Sequence, residues 1–99
     1  MIRVRFFEQN GVLTGFEIEG HSFFSESGTD IVCSAVSSAA IMAANTVTEV
    51  FGEAVDVQLG EGYLSLKGCD LPSTQGVMQG LKLHLEQLAE QYPAHITVS

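Results

Sequence analysis

The sequence predicts a small α+β domain, ordered ββαββαβ, with two helices packed on one sheet. Three observations carry that expectation. Residues 2–7, 12–19, 55–59 and 64–66 alternate apolar with other side chains, the period of a half-buried strand. Two longer segments, 31–51 and 73–91, repeat apolar residues at helical spacing. The chain has 99 residues, and domains typically run about 50–250, so 1–99 is read as one domain with one small core.

The first strand places Ile2, Val4 and Phe6 on one face and Arg3 and Arg5 on the other. The second places Phe16 and Ile18 opposite Glu17 and Glu19, with Thr14 on the Phe16 side. A two-residue Asn10-Gly11 turn in regular strands sets Arg5 across from Phe16 and mixes the faces. The pattern therefore favours a three-residue loop, Gln9-Asn10-Gly11, which pairs Val4 with Phe16 and Arg3 with Glu17. Residues 20–29 carry Gly20, Gly28 and three serines with no clean period, so they read as a loop.

Asp30 reads as an N-cap, its carboxylate accepting from free amides of the first turn. The helix is expected from Ile31 to about Phe51, with Val32, Val36, Ala39, Ala43, Val47 and Val50 as its stripe and Gly52 as its stop. A second hairpin comes next, in which a Glu61-Gly62 turn sets Leu59 opposite Leu64 and Val57 opposite Leu66. The second helix is expected from about Ser73 to Gln91. Met78, Leu81, Leu85, Leu88 and Tyr92 form its stripe, and Pro93 ends it. Residues 95–98 close the chain as a short strand.

Twelve acidic residues against four Lys and Arg give a formal net charge of −8. That balance counts against direct nucleic-acid binding, whose affinity comes largely from cations on phosphates, and favours a basic partner where it does more than its commoner work of keeping the protein soluble. The N-terminus alternates like a strand and has no apolar run with a cleavage site of the signal-peptide kind. The charge-free run from Ile31 to Thr48 approaches membrane-span length, but it is rich in small and hydroxylated residues and reads as a buried helix. No membrane partner is expected. One sheet covers one face of such a helix, so the remainder is expected to meet the other helix or a second copy, which predicts a homodimer. Cys33 and Cys69 form no disulfide framework, which points to a reducing cytoplasm.

Cys33 lies three residues after the expected cap. Free amides and the helix dipole there favour a thiolate, although a nearby Asp30 charge opposes it. Read alone, Cys33 is more readily a small apolar residue in a buried helix. His21 follows Gly20 at a strand end, where catalytic groups are often carried. Across a strand end and a helix start the two could form a thiolate–imidazolium pair, with helix amides holding the oxyanion. Ser37 falls one turn after Cys33 on the same face. Cys69, in a Gly-Cys-Asp connector, reads as a nonfunctional thiol, and His84 and His95 as surface or packing residues. No metal-ligand spacing and no glycine-rich phosphate loop occurs, so neither metal nor cofactor is expected.

Gly20-His21-Ser22, a loop, and Gly28-Thr29-Asp30-Ile31-Val32-Cys33-Ser34-Ala35-Val36-Ser37 resemble the signature of the ribosomal-processing cysteine proteases, Prp. Ser22 and Ser34 stand where alanine is more usual in that pattern. The resemblance covers essentially the whole chain. It implies a homodimeric endopeptidase that removes the N-terminal extension of a bacterial large-subunit ribosomal protein, after a Phe-rich sequence. By motif position, His21 is then the general base and Cys33 the nucleophile. Asp30 supports them and Ser37 lines the site. The loop with Phe23, Phe24 and Gly28 covers the substrate. The competing expectation is a noncatalytic acidic homodimer that binds a basic ribosomal protein, with Cys33 as packing.

Overall fold

The computed structural model describes the chain over residues 1–20, its backbone again from residue 27, and side chains again from 31 to 99. Strands β1 (Ile2–Gln9) and β2 (Val12–Glu19) form an antiparallel hairpin. Asn10 and Gly11 turn it, both with positive φ (54° and 79°), the backbone of a two-residue type I′ turn. The register differs from the expected one. Val4 pairs with Ile18, Arg3 with Glu19 and Phe6 with Phe16. A bulge between Phe7/Glu8 and Gly15/Leu13 leaves Thr14 without a partner. That extra residue restores the faces, so a short turn and an unmixed sheet coexist. Parity is as expected and the partners are shifted by two.

The bulge is held from outside the hairpin. Gln75 accepts from the Leu13 N–H at 2.9 Å and donates to its carbonyl at 2.8 Å. The Thr14 carbonyl accepts from the N–H groups of Gly68 and Cys69. Gly15 allows the neighbouring strand to come close, because a Cβ there would stand 2.1 Å from the Leu66 carbonyl oxygen.

Helix α1 (Ser27–Asn45) starts earlier than expected, which places Asp30 inside the helix and overturns its reading as the cap. Ser27, Thr29 and Asp30 are all residue types that suit a helix start. No periodic apolar residue precedes Ile31 to mark the true beginning. The helix widens into a π-turn over Thr46–Val50, where the Phe51 N–H reaches the Thr46 carbonyl. Thr46 and Thr48 donate their hydroxyls back to the carbonyls of Met42 and Ala44. Such back-bonding and a β-branched run both disfavour a regular helix. The wider turn changes the angle at which its last residues leave the helix axis, so Val50, expected in the buried stripe, is exposed. Gly52, at φ +68°, ends the segment in the left-handed conformation as its position suggests.

β3 (Asp56–Gly60) and β4 (Tyr63–Lys67) pair in the expected register, Leu59 with Leu64 and Val57 with Leu66. α2 (Pro72–Gln91) buries Met78, Leu81 and Leu85, and β5 (Ile96–Val98) lies parallel to β1. The strand order is β3-β4-β2-β1-β5. One sheet face carries Ile2, Val4, Phe16, Ile18, Leu64, Leu66 and Ile96 into the core, where Val32, Val36, Ala40, Ala43 and Val47 of α1 and the π-turn join them. The stretch Ile31–Val50 is long and apolar enough to cross a membrane, but this stripe of it is core. The opposite side leaves Ile31, Ile41 and Met42 exposed.

Candidate active site

Cys33 occupies the seventh position of α1, in its second turn. It is 9% exposed and belongs to the buried core cluster. An α-helix leaves its first four N–H groups free, and its dipole acts mainly within the first turn. The early start of α1 therefore moves those free amides a turn away from Cys33. The expectation that helix amides directly activate the thiol and hold an oxyanion is corrected accordingly.

Asp30 and Gly28 lie in the first turn of α1, Asp30 three residues before Cys33. Ser37 is half-buried one turn after Cys33. It lines a cleft of about 50 Å³ between α1 and the β3–β4 hairpin, with Ala40, Ile41, Leu59, Tyr63 and Leu64. Cys33 and Ser37 thus form one line along α1 that ends at an apolar cleft. His21, Phe23 and Phe24 lie outside the described residues, as does the loop that carries them. Among the described residues no group of three His, Cys, Asp or Glu side chains is placed to hold a metal ion.

The second cysteine belongs to a different structure, built on Glu53. The Glu53 side chain is buried, and its carboxylate accepts from the Asp70 N–H at 2.7 Å and the Leu71 N–H at 3.1 Å. It also accepts from the Thr74 hydroxyl at 2.7 Å and the Cys69 thiol at 3.3 Å. Burial pushes the Glu53 carboxyl up. The donors, led by the Asp70 N–H and then Thr74, Cys69 and Leu71, more than offset this and hold it at about 2. Burial, and then the neighbouring Glu53 charge, push the Cys69 thiol up, against the Thr74 hydrogen bond. Cys69 is fully buried and its surroundings disfavour the thiolate, in line with its reading as a nonfunctional thiol. Glu53 itself has no signature in the sequence, since its four donors come from a connector and a helix start about twenty residues later.

Both thiols are free, and the one that stands in a helix, one turn before the cleft-lining Ser37, is Cys33. A free thiol on a helix packed against a small, mostly antiparallel sheet makes this a thiol-bearing domain of α+β class. The chain belongs to the Cysteine protease Prp family, whose sequence profile matches residues 1–97. It is a cysteine protease, and that membership favours catalysis over the noncatalytic module. Among solved structures it is similar to SMU.848 from Streptococcus mutans, at 28% identity and a TM-score of 0.92, over 100% of this chain and 92% of that one. It is also similar in fold to the ribosomal processing protease Prp from S. aureus in complex with a substrate peptide. That match has 23% identity and a TM-score of 0.90, over 100% of this chain and 98% of that one. The same S. aureus protein with a covalently linked product peptide matches at 24% identity and a TM-score of 0.87, with the same coverage. No curated protein matches the chain.

Proposed function

We propose that this protease removes the N-terminal extension of a bacterial large-subunit ribosomal protein, with Cys33 as nucleophile and His21 as general base. The observation that carries the reading is the position of Cys33. It stands in the Asp30-Ile31-Val32-Cys33 block of a cysteine-protease family, on a helix face that continues through Ser37 to a cleft. The ribosomal substrate is supported by the fold shared with the S. aureus processing protease.

In this mechanism His21 takes the Cys33 proton, and the thiolate attacks the scissile carbonyl carbon. A carbon–sulfur bond forms and the carbonyl electrons move to oxygen. As the tetrahedral species collapses, the C–N bond breaks and His21 returns the proton to the leaving amine. The resulting thioester is hydrolysed by water, which releases the acid and regenerates the thiol. Asp30, one turn before Cys33, orients the imidazole, and Ser37 donates a hydrogen bond near the reacting atoms. Phe23, Phe24 and Gly28 belong to the segment that covers the bound peptide.

The active form on this reading is a cytoplasmic homodimer. Two free thiols suit a reducing compartment. The exposed side of α1 supports self-association. With α2 it forms an apolar groove of about 350 Å³, lined by Met42, Ala43, Gly76, Val77 and Gly80. The direct test incubates the protein with the ribosomal protein precursor of its own genome and reads the new N-terminus by mass spectrometry. A single new N-terminus, absent with Cys33→Ala, is expected. An uncut precursor, when a known family member cuts the same sample, overturns the assignment.

A further inference from the structure

Gly20 stands between the end of β2 and His21, and its backbone is held from two sides. Its N–H donates to the Gly62 carbonyl at 3.2 Å, in the turn of the β3–β4 hairpin. That bond carries the β2–β4 ladder one step past the Glu19–Tyr63 pair. On the other side lies the residue before β1. A Cβ on Gly20 would stand 2.7 Å from the Met1 carbonyl oxygen, closer than side chains approach a backbone atom. The chain also turns at this point, because Gly20 has φ +84°, a conformation that strains an L side chain. Gly11, Gly52 and Gly68 have positive φ too, yet a Cβ at any of them meets nothing within 4 Å. At Gly20, conformation and contact demand glycine together.

We propose that Gly20 is a positioning residue of the protease: it fixes where, and in which direction, the chain leaves the sheet toward the general base His21. The inference rests on the role of His21 proposed above and adds the residue through which the fold controls it. A general base has to come within about 2.6–3.2 Å of the proton it takes. Glycine is the least restrained residue, so a free one just before the base would have to be ordered for each transfer. Here the contacts to Gly62 and Met1 have already removed that freedom. The same strand is the reference for the nucleophile. Ile18, two residues before Gly20, belongs to the core cluster that contains Cys33. β2 thus ties into both halves of the proposed pair, the thiol through core packing and the imidazole through Gly20. An alanine at this position must rotate out of φ +84° or push the Met1 carbonyl away, and either change re-aims the bond that leads into residue 21.

The test measures precursor cleavage and iodoacetamide labelling of Cys33 in wild type, Gly20→Ala, Gly20→Asn, His21→Ala and the double variant Gly20→Ala with His21→Ala. Gly20 is exposed, so the variants should fold, with Cys69 labelled as slowly as in the wild type. Gly20→Ala should lower kcat about ten- to a hundred-fold, the range for a catalytic group misplaced by about 1 Å, and move KM less than about two-fold. Gly20→Asn accepts positive φ more readily but keeps the Cβ. It should fall between the two, and it carries the comparison if the alanine variant unfolds. In labelling at neutral pH, Gly20→Ala should slow Cys33 toward the His21→Ala rate. In the double variant it should add nothing, because it acts only through His21. A residue that merely stabilises the fold would change both backgrounds alike. Slower Cys33 labelling in His21→Ala, together with wild-type kcat in Gly20→Ala or an equal Gly20→Ala effect in both backgrounds, overturns the positioning role and leaves the protease reading intact. A His21→Ala protein that labels and cleaves as the wild type does overturns both.

Discussion

Glu53→Gln is the substitution for which the structure gives the most specific expectation. The carboxylate takes four donors with two oxygens, and every one of them comes from the segment that starts α2. Gln keeps the size, but one oxygen becomes an NH₂ group. Turned toward the Asp70 and Leu71 N–H groups, it opposes donor to donor; turned the other way, it keeps Thr74 only as an acceptor, with that hydroxyl's proton given to the Leu71 carbonyl, and leaves the two N–H groups on a neutral oxygen. Holding a carboxyl at about 2 rather than its ordinary 4.5 corresponds to at most about 3 kcal/mol at neutral pH. Allowing for residual solvent screening, we expect a loss of about 2 kcal/mol. For a domain of this size that lowers Tm by about 10 °C. The sign with pH comes from the direction of the shift. Because the folded-state value lies below the unfolded one, the stabilisation is complete above about pH 4.5 and fades as pH falls toward 2. Thermal melts of both proteins between pH 7 and pH 2.5 should therefore show a gap that narrows with acid. A variant that melts within about 2 °C of wild type at pH 7 would falsify the account. So would a gap that stays constant to pH 2.5.

Other parts of the molecule give three further expected outcomes. Gly15→Ala sets a methyl against the Leu66 carbonyl, a backbone contact that cannot move aside, and should cost at least about 3 kcal/mol; a near-native denaturation midpoint would contradict it. Iodoacetamide should label Cys33 faster than Cys69, whose thiol is fully buried and pushed up, and His21→Ala should slow only the Cys33 reaction; peptide mapping after timed labelling decides, and equal rates at both sites would count against Cys33 as nucleophile. Cleavage of a basic substrate should slow several-fold in kcat/KM between about 50 and 500 mM salt, with kcat little changed, because an enzyme at −8 attracts such a substrate over a distance that salt shortens; salt-independent kcat/KM would leave the acidity a solubility role.

The two hairpins show what a sequence pattern can and cannot reveal. Glu61-Gly62 joins two regular strands, so counting outward from the turn gives the pairing, and Leu59 does meet Leu64. Asn10-Gly11 carries an equally strong turn signal, but the Thr14 bulge adds a residue to one side only. Period-two arithmetic preserves which face each residue takes and loses which partner it meets. Gly15, a glycine inside a strand pattern, was the available mark of the irregularity. The start of α1 was obscured for another reason: cap-forming residues cluster there, and the apolar period begins only at Ile31. The Cys33–Ser37 line was legible because it is local helix geometry. The cleft it leads to was not, since that requires knowing that β3 is an edge strand with Leu59 uncovered. Glu53 was illegible for the same kind of reason, its partners being distant in sequence.

The early start of α1 changes where the reactivity of Cys33 must come from. In the first turn, a thiol shares the dipole and the free amides, and can ionise with modest help. In the second turn both contributions have largely decayed. A proton-accepting neighbour is then the group that can make the nucleophile. On the proposed mechanism that neighbour is His21, and the pair, not the helix, creates the nucleophile. Asp30 changes role with it. Asp30 lies in the first turn of the helix rather than at its cap, and is the residue proposed to orient that imidazole. The same displacement that removes the helix from the activation of Cys33 therefore makes His21 the group on which the proposed mechanism depends.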